Sequence, residues 1–261
     1  MTLAKYHAHP ALSRSKLWWA HESPAAFKYY TDHPQPQTDA MLLGAAFHKL
    51  VLEPQSFDME YAILPPGITR NSYTGKEIVS QAKLVGKDVL RSAEMDNLIR
   101  MRDALMANRN VSYFVEEGTK EYSIFWTDEA TEEPLKCRPD ILIANEDLHI
   151  IADIKTCESA DTDDFTRACI RYGYAMQAAM YIEGVKTKFP GDYSFLFFAV
   201  EKTPPYSVNV MQMDQAFIDY GYTQFRELLE TVHECKRTGI WWGKNGMDNN
   251  INKILLPAWV D

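Results

Sequence analysis

The segment 136–156, KCRPDILIANEDLHIIADIKT, constrains the fold of this chain more than any other stretch. Branched apolar residues lie on both sides of the polar turn 145–147, a pattern typical of a β-hairpin. If Glu146 and Asp147 form the centre of the turn, Asp140 lies directly opposite Asp153. Side chains alternate between the two faces of a strand, and opposed residues lie roughly 5 Å apart. We therefore expect both carboxylates on one face of the hairpin.

Lys155 follows Asp153 by two residues and belongs to the same face. Two carboxylates at that separation repel each other, and burial penalises the charge on each of them. A divalent cation would relieve both costs, so the pattern indicates a metal-dependent active site. The alternative is a surface hairpin whose charged end is solvated.

The composition indicates a globular protein with a substantial core. The chain has 261 residues, of which 46% are apolar and 12% aromatic. We expect a single domain over 1–261, with an N-terminal helical part to about residue 110 and a C-terminal wrap from about residue 238. No apolar run reaches the ~20 residues that span a bilayer, and the first residues lack a signal-peptide core. These features predict a cytoplasmic protein without a membrane partner.

The net charge of -9 argues against a surface coated with phosphate contacts, because nonspecific nucleic-acid binding draws on basic surfaces. A nucleic-acid enzyme of this charge must gather its cations in a groove. The four cysteines show no CxxC or other metal-ligand spacing, so we expect buried thiols.

Helix-start signals divide the N-terminal part of the chain. Ser13 is expected to cap one helix and Ser23, which precedes Pro24, to cap a second. Thr38 or Asp39 can cap the helix that follows.

His48 lies within that apolar helix, which the sequence predicts over 41–54. A lone histidine in such a helix is commonly a core residue with one satisfied hydrogen bond. Gly44, one turn earlier, leaves the same helical face open, and neutral imidazole is a good ligand for divalent metals. Core histidine and metal ligand both remain open on these residues alone.

Strand patterns account for much of the remaining sheet. A strand over 120–126 precedes the hairpin, so three consecutive strands are expected to pair as a meander. Glu121, near the start of this strand, is an accessory acid or, by default, a solvated residue. Further strands are predicted over 193–200 and 206–211, before a final helix over about 214–237.

A long helix predicted over 161–186 carries a polar residue within an apolar stripe. Ile170, Tyr174, Gln177 and Tyr181 recur at spacings of four, three and four residues and share one face. Gln177 is anomalous for a pure core stripe. Either it serves a site or it bonds to a neighbouring backbone group.

Four cations are candidates for contacts with phosphate. Arg70 and Lys76 lie in a loop predicted over 65–76, where a plain solvated loop is the alternative. Arg167 and Arg171 lie on the predicted long helix, a turn or two before Gln177.

The motifs occur in an order that resembles a known superfamily. They are His48, Pro139-Asp140, Asp153-Ile154-Lys155 and Gln177 to Tyr181. In this order they resemble the RecB-like branch of the PD-(D/E)xK nucleases. The segments YHAHPALSRSKL, SPAAFKYY, GAAFHKLVLEP and LLPAW resemble more narrowly the nuclease domain of phage-derived RecE-type exonucleases. This resemblance covers nearly the whole chain.

The resemblance implies an α/β (α+β) fold with a restriction-endonuclease-like core, in which helices flank a central mixed β-sheet. It implies metal binding by His48, Asp140, Asp153 and the carbonyl of Ile154. The metal is expected to be Mg²⁺, with Mn²⁺ as a substitute, in a site of one or two ions.

The other matched residues are expected to act beside the metal. Lys155 would orient or activate the attacking water, and Gln177 and Tyr181 would brace the site or the DNA. The resemblance departs from the family pattern in two ways: the second acid, Asp153, is not Glu, and the cysteine set of iron–sulfur relatives is absent. No iron–sulfur cluster is therefore expected.

The function implied by the resemblance is a Mg²⁺-dependent exodeoxyribonuclease. Such an enzyme degrades linear double-stranded DNA from its ends, 5′ to 3′, and leaves 3′ single-stranded tails for recombination. The implied partners are a RecT-like single-strand annealing protein and further copies of the chain in a homo-oligomeric ring, with a tetramer favoured. Two alternatives stay open: a structure-specific endonuclease on the same fold and a non-catalytic DNA-end-binding protein.

Overall fold

The computed structural model describes residue 1, residues 3–246, residue 251 and residues 253–255. Its helices are α1 (Leu3–Ala8), α2 (Arg14–Glu22), α3 (Pro24–Asp32), α4 (Asp39–Leu52), the 3-10 helix Pro54–Ser56, α5 (Phe57–Glu60), α6 (Tyr73–Leu84), α7 (Ser92–Met106), α8 (Arg109–Glu117), α9 (Thr162–Arg171), α10 (Tyr174–Lys186) and α11 (Gln215–Thr238). Its strands are β1 (Leu12–Ser13), β2 (Tyr61–Ile63), β3 (Asp88–Leu90), β4 (Thr119–Lys120), β5 (Ile124–Thr127), β6 (Pro134–Cys137), β7 (Ile141–Ala144), β8 (His149–Cys157), β9 (Ser194–Glu201) and β10 (Val208–Gln212).

Side-chain caps start the helices at the predicted residues. Ser13, Ser23 and Thr38 accept hydrogen bonds from backbone N–H groups three residues later, and these caps open α2, α3 and α4. Pro24 occupies the first position of α3, where its missing N–H costs nothing. The caps therefore fix where the helix that carries His48 begins.

The central sheet is mixed, as predicted. Its strand order is β10-β9-β8-β7-β4, in which β8 and β9 are parallel and the other neighbours are antiparallel. Strands β7 and β8 form the predicted hairpin, with Ala144 paired to His149 and Ile141 paired to Ala152. Asn145 closes the turn, since its side chain accepts hydrogen bonds from the two backbone N–H groups at 147 and 148. Continuing this register places residue 140 opposite residue 153.

Helices cover both faces of this sheet. Alternate residues of β7, β8 and β9 pack on one face against α4, α7 and α8. The intervening residues pack on the other face against α9 and α10. The even positions of β7 and the odd positions of β8 belong to the second face, so both acids of the hairpin are directed towards α10.

The meander predicted around 120–126 is wrong. This stretch forms two short strands: β4 pairs with β7 in the central sheet, whereas β5 pairs with β6 in a second sheet of order β1-β6-β5. Glu121 separates them because its backbone adopts a left-handed conformation, with φ of 53°. Its N–H donates to the carbonyl of Asp140 and its carboxylate pairs with Arg138. These contacts stabilise the break that strand propensity alone does not reveal.

The single helix predicted over 161–186 is also wrong, because α9 ends at Arg171 and α10 begins at Tyr174. Gly173 lies at the break with φ of 65°, a conformation that favours glycine. A Cβ at this position would approach the ring of Trp18 to 2.4 Å, so packing also requires glycine here. The break removes Ile170 from the stripe, and 53% of that residue is exposed.

The two ends of the chain pack differently. The first 110 residues are mostly helical but include a parallel pair, β2 and β3, that the sequence pattern did not indicate. The start of the C-terminal wrap packs on α3: Trp241 stacks on Phe27, and the carbonyl of Trp242 accepts from Ala25. Most of the LLPAW motif lies outside the described residues. Within the described residues, no helix is long and apolar enough to cross a membrane.

Candidate active site

The hairpin brings its two acids together at one end. Asp140 immediately precedes β7, and Asp153 lies on β8 opposite it by the register of the pair. Both side chains are buried. Oδ2 of Asp140 accepts a hydrogen bond of 2.7 Å from the backbone N–H of Ile154, which holds this carboxylate against the neighbouring strand.

Burial and charge repulsion act on Asp140 in the direction expected from the sequence. Burial, and then the adjacent Asp153, raise the pKa of Asp140 well above its ordinary value. Lys155 and the N–H of Ile154 act in the opposite direction without cancelling the increase. A bound cation would stabilise the ionised form of this carboxyl group.

Gln177 connects the second acid to the lysine. Its Nε2 donates a hydrogen bond to Oδ1 of Asp153, and its Oε1 accepts from Nζ of Lys155 at 3.2 Å. Nζ of Lys155 also lies 2.5 Å from Oδ2 of Asp153. Gln177 is buried, and its side chain bonds to these two side chains. The alternative in which it bonds to a neighbouring backbone group is therefore wrong.

His48 reaches the same place from the opposite face of the sheet. Its Nε2 lies 2.8 Å from the carbonyl oxygen of Ile154 and 3.7 Å from Oδ2 of Asp140. An imidazole nitrogen, a carboxylate oxygen and a carbonyl oxygen thus converge, an arrangement that fits a metal ligand and also a histidine with one satisfied hydrogen bond. Gly44, one turn earlier, leaves this helix open: a Cβ built there meets no described atom within 4 Å.

The donor set fits a hard divalent cation. Among the described residues, no three His, Cys, Asp or Glu side chains are grouped closely enough to enclose a metal by themselves. The available donors are the Asp140 and Asp153 carboxylates, the Ile154 carbonyl and His48, and Mg²⁺ commonly completes such a set with water. In the described geometry Asp153 is directed to Lys155 and Gln177 instead. Each carboxylate oxygen has more than one acceptor site, so Asp153 can also bind a metal.

Two aromatic residues of α10 border the site. Tyr181 lines a cavity of about 430 Å³ together with His48 and Asp140. Burial raises the pKa of Tyr181 well above its usual value, so its hydroxyl stays protonated and can donate a hydrogen bond. Tyr174 lies beneath the lysine, with Nζ of Lys155 4.6 Å from its ring centroid. Tyr174 precedes Gln177 by three residues, which places both on one face of a helix. This spacing could have identified Tyr174 as a site residue.

Glu121 lies in the site rather than in solvent, contrary to its default interpretation. It lines the cavity that contains Asp140, and its Oε2 accepts a hydrogen bond of 2.5 Å from Nε of Arg138. Burial, and then the charge of Asp140, raise the pKa of Glu121 to about 7 despite that arginine. A strand pattern could not have identified this residue, because its left-handed backbone turns the chain towards Asp140.

The four candidate phosphate contacts divide into two pairs. Arg167 and Arg171 line a cavity of about 630 Å³ together with Lys155 and Lys202, so these two lie beside the site. Arg167 also pairs with Asp164, and the guanidinium of Arg171 lies 5.4 Å from the ring centroid of Tyr172.

The other pair lies apart from the site. Arg70 donates a hydrogen bond of 2.7 Å to the carbonyl of Val89 and lies 3.6 Å from acidic groups of Asp39 and Glu94. Lys76 is an exposed residue of α6, because the predicted loop ends where Ser72 caps that helix. Neither residue lines the cavities that contain Asp140 or Lys155.

The sequence over residues 13–249 matches the family described as a PDDEXK-like domain of unknown function (DUF3799). The chain belongs to this family. The match includes His48, Asp140, Asp153, Lys155 and Gln177, so the site lies within it, and the predicted resemblance to the PD-(D/E)xK superfamily is confirmed.

One solved structure shows the same fold. A crystal structure of a protein from Eubacterium rectale, provisionally named an exonuclease, has a TM-score of 0.68, with 14% identity over 98% of this chain and 96% of that chain. An alkaline exonuclease from Laribacter hongkongensis has a TM-score of 0.28, with 16% identity over 74% of this chain and 91% of that chain. No curated protein matches the sequence. The predicted α/β fold with a central mixed sheet is thus confirmed.

Proposed function

We propose that this protein is a Mg²⁺-dependent exodeoxyribonuclease that degrades linear double-stranded DNA from its ends. The observation that supports this most is the arrangement at the end of the β7–β8 hairpin. Two buried acids lie opposite each other there, with Lys155 beside one and His48 beside the other. Metal donors and an adjacent cation are a combination that can catalyse phosphodiester hydrolysis.

The metal donors in this proposal are Asp140, Asp153, the Ile154 carbonyl and His48. When bound, Mg²⁺ would supply charge neutralisation at the phosphoryl oxygens and lower the pKa of a coordinated water. Mn²⁺, which accepts the same donors, is expected to substitute for it. These groups can bind one ion or two.

Lys155 and Gln177 act on the reacting groups beside the metal donors. The ammonium of Lys155 lies on the face of the acids, where it can orient the attacking water and offset negative charge on the phosphoryl group. Gln177 bonds to both Lys155 and Asp153 and so fixes their relative position. Tyr181 contributes a protonated hydroxyl to the same cavity.

The charge distribution supports the proposed requirement for a DNA end. The chain carries a net charge of -9, so it lacks the excess positive surface needed to grip duplex at arbitrary positions. Cations are gathered instead beside the site, where Arg167, Arg171 and Lys202 line one cavity with Lys155. We propose that an end enters this cationic cavity and that cleavage proceeds 5′ to 3′, leaving 3′ single-stranded tails.

The proposed biological context is recombination by strand annealing. A 3′ tail is the substrate of a single-strand annealing protein, and a RecT-like partner would consume this product. A closed homo-oligomeric ring, with a tetramer favoured, would keep the enzyme on DNA between cleavage events. Mass measurement in solution tests the ring, and co-purification with the annealing protein tests the partner.

Comparison of closed circular and linearised plasmid tests the central part of the proposal. In Mg²⁺ the linear form should be degraded to nucleotides while the closed circle persists over the same interval. Duplexes labelled at a 5′ or a 3′ end report polarity through the order in which label is released. Equal degradation of circle and linear forms would contradict exonuclease action and favour the structure-specific endonuclease alternative. Binding of ends without cleavage of either form would favour the non-catalytic alternative.

A further inference from the structure

Arg14 is a partly buried cation that the proposed function has not yet used. It is the first residue of α2, directly after the cap Ser13. It lines the cavity of about 430 Å³ that also contains His48, Asp140 and Tyr181. Within the described part of the chain, its Nε and Nη2 are buried and have no hydrogen-bond partner.

Aromatic packing holds this guanidinium in place. Its Cζ lies 5.5 Å from the ring centroid of Trp18 and 5.8 Å from that of Tyr174. Trp18 is itself confined by the backbone at Gly173, where even a Cβ would approach the indole ring to 2.4 Å. The side chain is therefore positioned by α2 and α10 together rather than left free to swing into solvent.

The two unpartnered nitrogens lie on one edge of the guanidinium. Nε and Nη2 present parallel N–H groups, and this geometry matches two oxygens of a phosphate or carboxylate. An arginine buried without such a partner is costly, and burial lowers the pKa of Arg14 accordingly. Nearby Tyr181, Tyr174 and Asp153 act in the opposite direction but do not satisfy the two N–H groups.

The position of this edge is close to the reacting groups. Tyr174 is approached both by Arg14 and by Nζ of Lys155, so the two cations share one aromatic ring. The cavity that Arg14 lines also contains His48 and Asp140. A phosphate placed between the metal donors and Lys155 would thus lie within the region that the guanidinium borders.

We propose that the Nε–Nη2 edge of Arg14 binds the two non-bridging oxygens of the DNA phosphate that is cleaved. This inference rests on the proposed nuclease function and assigns a further substrate-contacting residue to it. Arg14 positions the phosphate and offsets the charge that develops on its oxygens, while Lys155 acts at the attacking water. Among the cations that line the cavities of about 430 and 630 Å³, Arg14 has an edge of two buried nitrogens without a hydrogen-bond partner.

Two variants separate this role from simple packing. Arg14→Lys keeps a positive charge but loses the bidentate edge, and Arg14→Met keeps an apolar stem without charge. Both should fold, and Arg14→Met should melt at or above the wild-type temperature, because replacing an unpaired buried charge by an apolar side chain removes a desolvation cost. Arg237→Met, which removes an exposed arginine paired with Glu234, is the matched control.

Single-turnover cleavage in Mg²⁺ is the first readout. We expect both Arg14 variants to slow cleavage by about 100-fold or more, while Arg237→Met stays near wild type. A methylphosphonate at the cleaved position replaces one charged oxygen by a methyl group. It should slow the wild type strongly and slow Arg14→Met by much less, because the contact is already lost. Equal slowing of wild type and Arg14→Met by the methylphosphonate would overturn the proposal.

Binding of thymidine 5′-monophosphate, compared with thymidine, gives a second readout that does not need cleavage. Wild type should bind the nucleotide more tightly, and Arg14→Met should lose about 10-fold or more of this difference. A wild type that fails to cleave DNA but shows this Arg14-dependent binding would contradict the nuclease function and leave the phosphate contact standing. Unchanged nucleotide binding in Arg14→Met would overturn the contact. An Arg14 effect on cleavage that vanishes when the DNA carries a 5′-hydroxyl would overturn the assignment to the cleaved phosphate.

Discussion

The backbone N–H of Ile154 donates a 2.7 Å hydrogen bond to Oδ2 of Asp140. The carbonyl of the same residue faces His48, whose Nε2 lies 2.8 Å away. The side chain of Ile154 is fully buried in the core on the opposite face of the sheet from the acids. One core residue thus positions both an acid and a histidine, which couples the geometry of the site to the packing of the sheet.

Asp140→Asn should keep the fold and lose the metal site. An asparagine Oδ1 can still accept the Ile154 hydrogen bond, whereas the charge that Asp153 repels is removed. We expect the melting temperature in EDTA to be equal to or above that of wild type. A metal present at 100 times its Kd stabilises the folded state by about 2.7 kcal/mol, so Mn²⁺ should raise the wild-type melting temperature and leave the variant unchanged. An equal Mn²⁺ shift in both proteins would place the metal elsewhere.

Lys155→Ala should separate DNA binding from cleavage. In the proposed function the lysine acts on water or on developing charge rather than as a metal donor, so cleavage in Mg²⁺ should fall by roughly 100-fold or more. Binding of duplex in Ca²⁺, which favours looser coordination, should change by only a few fold. Lys28→Ala is the matched control because Lys28 pairs with exposed Asp32 and does not line the cavity of Lys155. Parallel loss of binding and cleavage in Lys155→Ala would instead identify a docking residue.

Gln177→Glu should be more damaging than its small change in size suggests. The new carboxylate would face Asp153 where the amide now donates a hydrogen bond, so like charges would meet in a buried position. We expect lower thermal stability and cleavage slower by about 10-fold or more. Gln215→Glu makes the same change at an exposed amide that donates to Asp219, and it should be nearly neutral. Similar effects of the two variants on cleavage would show that Gln177 does not organise the site.

The contribution of Asp128 to the stability of the protein should decrease at acid pH. Although burial opposes it, the hydrogen bonds from Arg226 and Thr131 lower the pKa of Asp128 to about 2. A folded-state pKa below the unfolded value gives stability that is complete above about pH 4 and is lost as pH falls towards 2. After allowance for solvent screening, this contribution is about 1–2 kcal/mol.

Denaturant unfolding of wild type and Asp128→Asn at several pH values measures that contribution. The difference in unfolding free energy should be largest near neutral pH and shrink between pH 4 and 2. Asp192→Asn, at a fully exposed acid 3.5 Å from Lys186, should show little difference at any pH. A constant Asp128 difference across this range would mean that the ion pair with Arg226 is not its source.

Short-range patterns predicted the hairpin and its acids correctly. Two apolar runs joined by a short polar turn form the hairpin, and its register places residue 140 opposite Asp153. The caps at Ser13, Ser23 and Thr38 are equally local, since each bond spans three residues. These features depend on contacts between residues that are close in sequence, so local sequence patterns can predict them.

The errors arise where distant contacts override local preference. The break at Gly173 is determined by Trp18, which is remote in sequence, and the left-handed backbone of Glu121 is stabilised by Asp140 and Arg138. Arg14 could not be assigned to the site for the same reason, because only the fold brings α2 beside α10. Sequence patterns of helices and strands do not include contacts between residues that are distant in sequence.

Cleavage of an end-labelled linear duplex by wild type and Asp153→Asn tests the central claim most directly. In Mg²⁺, wild type should release labelled nucleotide, and EDTA should stop the release. Asp153→Asn should fold normally and cleave slower by about 1,000-fold or more, because it loses a metal donor and the anion that pairs with Lys155. Near-native cleavage by Asp153→Asn, or wild-type cleavage that persists in EDTA, would contradict a metal-dependent nuclease site at the end of this hairpin.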